Sequence, residues 1–139
     1  MKKVFLLLFL ILCMVLLLAP TVSAAETYVA QVAQTREKYK TLQEAFDATP
    51  DGTVMLLADC TQDVHIESGY HSLYLNGYTI TGTVKMSSGY LNMHGPGTIQ
   101  NTGVDGKYPV SCLGGNYYLG DVTVTATAQN GVAVYSNGN

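Results

Sequence analysis

A repeat of large and turn-forming residues runs from residue 53 onward, and it restricts the fold more than any other feature of the chain. Coil starts placed at Thr53, His71, Gly89 and Gly115 give two equal intervals followed by a longer one. The polar, glycine-rich segment 101–109 is expected to form a loop that accommodates the longer third interval. Similar segments at a nearly fixed interval are typical of chains in which each segment stacks on the previous one.

Large side chains occupy the third and fifth positions of each coil, and bend-forming residues occupy the seventh. Residues two apart in a strand share a face, so the large side chains are predicted to point into one core. Asp and Gly tolerate the left-handed backbone of a sharp bend. We therefore expect an all-β, single-stranded parallel β-helix of about four coils; an antiparallel β-sandwich is the alternative. The three columns are Met55, Leu73, Leu91 and Tyr117; Leu57, Leu75, Met93 and Leu119; and Asp59, Gly77, Gly95 and Asp121.

A short helix is predicted just before the first coil. Thr41 and Glu44 have the spacing of a capping box, in which each side chain bonds the backbone amide of the other residue. Leu42, Ala45 and Phe46 fall on one helical face. We expect this helix to cap the first coil, whose core and strand edge would otherwise be open. The preceding segment 25–38 is polar without clear periodicity, and it is interpreted as a linker.

The N-terminal residues 1–24 have the three parts of a secretory signal peptide. Lys2 and Lys3 precede the apolar run Val4–Leu18, and Val22-Ser23-Ala24 supplies small residues for cleavage after Ala24 or Ala25. The apolar run is shorter than the stretch of roughly 20 residues that a membrane-spanning helix needs. The chain is therefore predicted to be secreted or on the cell surface, without membrane attachment after cleavage; an uncleaved anchor is the alternative.

The charge and cysteine content of residues 25–139 restrict the partners of the mature chain. Five basic and ten acidic residues give a formal charge of −5, which argues against binding to a nucleic-acid backbone. Cys60 and Cys112 are the cysteines that remain after cleavage. Export permits a disulfide between them, but free thiols are an equally open interpretation.

Four segments resemble the pectin-lyase-like family of right-handed parallel β-helix proteins. Residues 39–46 with 50–59 are similar to the N-terminal cap and first coil of that family, 73–80 to a Leu-x-Leu-Asn-Gly-x-x-Ile coil, and 95–99 to the matching turn. The resemblance covers about residues 39–139. It implies a right-handed β-helix from a bacterial source, in a family that includes polysaccharide lyases, hydrolases and secreted surface proteins without a known reaction.

No catalytic or metal site is predicted. No motif of the enzymes in that family matches here residue by residue, so the resemblance assigns no catalytic residue and no cofactor. Asp59 and Asp121 share a bend position but stand three coils apart, about 14 Å by the strand spacing, and Lys85 and Lys107 are isolated in the sequence. The three histidines occupy different positions of the repeat; His94 is expected to stack on Asn76 beside the bend. The acids of the coils are Asp59, Asp63, Glu67, Asp105 and Asp121.

The outward positions of the coils carry the candidate binding residues. Tyrosine rings can stack on the apolar face of a sugar ring while amide groups bond its hydroxyls, which suggests a polysaccharide or a host-surface glycan as ligand. The alternative is structural, because tyrosine is favoured on strands for packing alone. The candidate carbohydrate-binding residues are Tyr74, Tyr90, Tyr118, Asn92 and Asn116.

The sequence thus predicts an exported β-helix segment of an extracellular or cell-surface protein. Its expected role is non-catalytic: carbohydrate or surface binding, as in an adhesin, or a scaffold. The alternative is an N-terminal fragment of a polysaccharide lyase or glycoside hydrolase. Residues 135–139 form no recognisable cap. We therefore expect further coils of a longer chain, or a partner, to cover the open strand edge at this end.

Overall fold

The computed structural model describes residues 26–137, so the predicted signal peptide lies outside the described residues. The described part is mostly β, and most of its strands pair in parallel. It contains no helix with the length and apolar character needed to span a bilayer. Its elements are β1 (Ala30–Val32), β2 (Lys38–Tyr39), α1 (Leu42–Asp47), β3 (Gly52–Leu56), β4 (Cys60–Thr61), β5 (Val64–Ile66), β6 (Tyr70–Tyr74), β7 (Thr79–Thr81), β8 (Val84–Met86), β9 (Tyr90–Asn101), β10 (Val110–Cys112), β11 (Asn116–Ala126) and β12 (Val134–Ser136).

The strands from β3 onward repeat in a fixed order, and each pairs in parallel with its counterpart in the next repeat. Strands β3, β6, β9 and β11 pair in sequence, as do β5, β8, β10 and β12. The long strand β9 also pairs with β7, which in turn pairs with β4. The buried side chains of all these strands form one continuous core. An antiparallel sandwich does not describe this pairing.

The first two intervals between repeats are longer than predicted. Leu73 lies opposite Val54 on one side and Met93 on the other, instead of opposite the predicted Met55 and Leu91. The third interval is as predicted, since Leu119 pairs with Met93, its neighbour in the predicted column. The first two predicted intervals were therefore wrong: the first is one residue too short and the second is two residues too short.

This shift reverses the faces of the first strand. Val54 and Leu56 are fully buried, whereas Met55 and Leu57, which were predicted to point inward, are only partly buried. A one-residue slip exchanges the two faces of a strand. The run from Val54 to Leu57 is apolar throughout, so its pattern did not distinguish the two registers. In the later repeats the predicted inward residues are buried or packed on the core: Leu73, Leu75, Leu91, Met93, Tyr117 and Leu119.

A column of glycines at one corner fixes the observed register. Gly69, Gly89 and Gly115 have φ angles of 109°, 96° and 83°, a region that L side chains rarely adopt. A Cβ atom on Gly89 would overlap the carbonyl oxygen of Gly69, and one on Gly115 would overlap that of Gly89. The backbones come this close because Tyr90 N–H donates to Gly69 O and Asn116 N–H donates to Gly89 O, both at 2.8 Å.

Aspartates at the turns join the first repeat to the second. The Oδ1 atoms of Asp59 and Asp63 accept the backbone N–H groups of Thr79 and Thr83, each at 2.7 Å. Asp51 accepts the N–H of Tyr70 in the same way, also at 2.7 Å. Hydrogen bonds to a charged acceptor are stronger than neutral ones. Two of the acids considered for catalysis therefore bond to backbone amides.

The bends are only partly as predicted. Gly77 and Asp121 have left-handed backbones, with φ angles of 88° and 56°. Asp59 and Gly95 are not among the residues with positive φ. Gly95 instead precedes Pro96 through a cis peptide bond. The bend therefore does not recur in one conformation, because successive repeats turn the chain with different residues.

Helix α1 forms as predicted and caps the first repeat. The Thr41 hydroxyl accepts from Glu44 N–H, and the Glu44 carboxylate accepts from Thr41 N–H, which completes the capping box. Its apolar face of Leu42, Ala45 and Phe46 is buried. On the polar side, the Gln43 amide bonds both backbone groups of His65, at 2.7 and 2.9 Å, and so ties the helix to β5.

The predicted linker 25–38 also takes part in the cap. Strand β1 pairs antiparallel with β3, where Ala30 lies opposite Leu56, and it pairs with β2 on its other side. Ala30 and Val32 are buried. Strand β1 is too short to show an alternating pattern of apolar and polar residues. The polar sequence around it therefore gave no sign of a strand. The strand covers the edge of β3 that would otherwise be unpaired.

Candidate functional site

The outward side chains of β6, β9 and β11 form one surface, which we call the tyrosine face. Along β6 and the first half of β9, exposed and buried residues alternate, so every second side chain points away from the core. Parallel pairing places these outward residues in three columns across the strands. The columns are Tyr70, Tyr90 and Asn116; Ser72, Asn92 and Tyr118; and Tyr74, His94 and Gly120.

Two pairs of rings stack within these columns. Tyr70 and Tyr90 have centroids 4.9 Å apart and an interplanar angle of 11°. Tyr74 and His94 have centroids 4.4 Å apart and an angle of 17°. Such cross-strand contacts stabilise a sheet by about 0.2–1 kcal/mol each. Since the rings of each pair lie face to face, each has one face covered by its neighbour.

All five predicted binding residues lie on the tyrosine face, and four of them are contiguous. Asn116 is directly opposite Tyr90, and Tyr118 is directly opposite Asn92. All four side chains are exposed. Tyr74 is also exposed but lies in another column, where it contacts His94.

Sequence reasoning missed two members of this face. Tyr70 is 66% exposed and stacks on Tyr90, but it lies just before the coil start that the predicted interval selected. His94 was predicted to stack on Asn76, which is wrong. Asn76 instead has a left-handed backbone, with φ of 51°, and its Nδ2 donates to Leu56 O at 3.0 Å.

Tyr118 differs from the other tyrosines of the face. It is 61% exposed, and within residues 26–137 it stacks on no other aromatic ring. Its Cε1 atom lies 2.9 Å from the position that a Cβ on Gly120 would occupy. The glycine therefore leaves room for the ring beside the strand, and both faces of this ring are free of aromatic partners.

The tyrosine face carries no Lys, Arg, Asp or Glu at its outward positions in β6, β9 or the first part of β11. Apart from the imidazole of His94, its polar groups are phenol hydroxyls, a serine hydroxyl and the amides of Asn92 and Asn116. Each amide offers both donors and an acceptor. This chemistry suits a neutral, hydroxyl-rich ligand better than a charged one.

The remaining groups with reactive chemistry are dispersed. His65 contacts Ser87 and Glu67, and His71 is buried against Phe46. Within residues 26–137, no three His, Cys, Asp or Glu side chains are grouped so that they could hold a metal ion.

The two cysteines are buried free thiols. Burial, with a smaller contribution from the charge of Asp59, raises the pKa of the Cys60 thiol to about 11. A thiol with a raised pKa is mostly protonated at neutral pH and is therefore a poor nucleophile.

Comparisons with known proteins add no relative: no protein-family model, curated protein or solved structure matches this chain. The family resemblance seen in the sequence is therefore supported only by the residues that carry it.

Proposed function

We propose that this chain is an exported right-handed parallel β-helix protein whose tyrosine face binds carbohydrate at a cell surface or in the extracellular space. Parallel pairing between corresponding strands of successive repeats supports the β-helix. Right-handedness is the expected sense, because crossovers between parallel strands are right-handed in about 98% of cases. The signal-like N-terminus and the pectin-lyase-like segments support export and family.

The observation that carries the binding proposal is the contiguous, uncharged group of Tyr90, Asn92, Asn116 and Tyr118. The ring of Tyr118 provides a platform for the apolar face of a sugar. The two amides lie on adjacent strands beside it and can bond hydroxyls in both senses. One face of the Tyr90 ring is covered by Tyr70, so this residue borders the site.

Packing within the sheet accounts for the stacked pairs but not for this group. Tyr70 with Tyr90, and Tyr74 with His94, gain stability from their partners. Tyr118 has no such partner among the described aromatic residues and leaves most of its surface in water. A large exposed ring flanked by amides fits a ligand-binding role better than a stabilising one.

A glycan array followed by calorimetric titration of the best ligand tests this proposal. We expect Tyr118→Ala to weaken binding about two- to tenfold, the range of a lost aromatic contact. Tyr135→Ala is the matched control, because Tyr135 stacks on Tyr108 at 4.7 Å in the other sheet. If no glycan binds, or if Tyr118→Ala binds the glycan as tightly as Tyr135→Ala does, the tyrosine face is not a carbohydrate-binding site. Cleavage of the bound glycan would favour the lyase or hydrolase alternative.

We also propose that further strands of the same protein, or of a partner, cover the last repeat, so that the chain acts as a scaffold. Within the described residues, β11 pairs only with β9, and β12 only with β10. The inward side chains Leu119, Val122 and Val124 are only partly buried there. Hydrogen exchange tests this. Amides on the open edge of β11 should exchange rapidly in this chain by itself, and slowly when further strands of the protein or of a partner are bound to that edge.

A further inference from the structure

The two basic residues that follow Lys40 in the sequence line the same cleft. Lys85 and Lys107 lie far apart along the chain, and the sequence suggested that they are isolated. In the structure both line a cleft of about 320 Å³ beside the cap helix, on the outer side of the β5–β8 sheet. The other lining residues are Gln43, Asp63, Val64, His65, Thr83 and Gly106.

Strand and turn geometry fix the backbone positions of both lysines. Lys85 lies between the buried Val84 and Met86 in β8, so its side chain points outward. Lys107 follows a tight Asp105-Gly106 turn with φ angles of 54° and 75°. Lys107 N–H donates to Val104 O at 3.0 Å, and Gly103 N–H donates to Lys107 O at 2.9 Å, so the turn is closed as in a β-hairpin.

The positive charges of the cleft are only partly balanced by the protein. Within residues 26–137, neither Lys85 nor Lys107 forms a salt bridge. Asp63 is the carboxylate among the lining residues; its Oδ1 accepts the N–H of Thr83, and its charge offsets that of one lysine, so the lining keeps a net positive charge. Two ammonium groups that share a cleft repel each other, and an anion between them reverses the sign of that interaction.

The other polar side chains of the cleft are partly or fully used in hydrogen bonds within the protein, which limits the contacts that an anion can make. The His65 ring is occupied on both nitrogens, by Ser87 Oγ at 2.7 Å and Glu67 Oε1 at 3.3 Å. Thr83 Oγ1 accepts from Asn101 Nδ2 at 3.1 Å, which leaves its own proton available to donate. Among the side chains that line the cleft, the donors without a protein acceptor are therefore the two ammonium groups and the Thr83 hydroxyl.

From this arrangement we infer that the cleft is a binding site for a small oxyanion, either a phosphate or a sulfate group. The two lysines leave the lining with a net positive charge despite Asp63, and lysine is a common point-charge ligand of phosphate. The site is on a different sheet from the tyrosine face, so it does not depend on the carbohydrate proposal.

Calorimetric titration of the full chain with inorganic phosphate, and separately with sulfate, tests the inference. Acetate at equal ionic strength is the singly charged comparison. We expect saturable binding of at least one of the doubly charged anions, weakened about tenfold by Lys85→Gln or Lys107→Gln, since each removes a charged hydrogen bond. Lys85→Arg should retain most of the affinity. Lys38→Gln, in β2, changes the net charge equally and should have no effect.

Binding of phosphate alone or of sulfate alone identifies the group, and both outcomes support the site. The inference is overturned if neither anion gives saturable binding, if acetate binds as tightly, or if Lys38→Gln weakens binding as much as Lys85→Gln. Both phosphate and sulfate stabilise most proteins by exclusion from their surfaces. A rise in melting temperature that is the same in the wild type and in Lys85→Gln therefore also counts against the site.

Discussion

Replacement of Gly89 by alanine tests the register of the repeats directly. Gly89 has φ of 96°, and an added Cβ would overlap the Gly69 carbonyl oxygen, which accepts the N–H of Tyr90. A left-handed backbone costs an alanine about 1–2 kcal/mol. Overpacking adds about 1–3 kcal/mol, and the weakened hydrogen bond adds about 1 kcal/mol. We expect Gly89→Ala to lower the free energy of unfolding by about 4 kcal/mol.

Gly77→Ala is the matched control for backbone strain. Its φ of 88° is close to that of Gly89, but nothing lies within 4 Å of an added Cβ. It should therefore cost only the conformational term, about 1–2 kcal/mol. Both variants lose the same unfolded-state entropy, so the difference between them isolates the contact with Gly69.

Urea unfolding followed by far-UV circular dichroism measures both variants. The expected result is a difference of about 3 kcal/mol in the free energy of unfolding, with similar denaturant slopes. If Gly89→Ala is no more destabilising than Gly77→Ala, the close approach of Gly69 and Gly89 does not exist. The pairing of these two repeats through that corner would then be wrong.

Three further predictions follow from single side chains. Cys60 in the folded protein should react with a thiol reagent at pH 8 roughly a hundredfold more slowly than in urea, because its raised pKa leaves little thiolate until the pH approaches 11; equal rates would contradict this. Thr41→Ala should lower stability by about 1 kcal/mol through loss of the cap, as measured by urea unfolding. His71→Leu removes the unpartnered Nδ1, but it also removes the Nε2 hydrogen bond to Ser68 O and the edge contact with Phe46. It should therefore lower stability by about 1 kcal/mol; a higher urea midpoint would contradict this.

The cap helix could be predicted because its signals are local. The capping box and the apolar face of α1 lie within one short segment, and both occur in the structure as expected. Alternation within a strand is local too, and it correctly indicated that Tyr74, Tyr90 and Tyr118 are exposed. Features of this kind depend on residues that are adjacent in sequence, so a single chain contains enough information to find them.

The register could not be read from the core residues, although the sequence contained a signal for it. Apolar residues fill the first strand so completely that its pattern is compatible with two registers. The tripeptide Ser-Gly-Tyr, in contrast, occurs at 68–70 and again at 88–90, which is the spacing at which Tyr70 pairs with Tyr90 in the structure. Within this tripeptide the glycine is the informative residue, because the backbone of the neighbouring repeat leaves no room for a side chain at its position.

The column of Gly69, Gly89 and Gly115 also determines which side chains lie next to each other on the tyrosine face. Gly69, Gly89 and Gly115 immediately precede Tyr70, Tyr90 and Asn116, which form the first column of that face. In the register predicted from the core residues, Ser88 instead of Tyr90 would lie opposite Tyr70, and the stacked pair would not form. The close contact that makes these glycines irreplaceable therefore also aligns the side chains proposed to bind sugar. Consequently, a substitution at Gly89 that leaves the protein folded should still disturb the stacking of Tyr70 on Tyr90, whereas one at Gly77 should leave it intact.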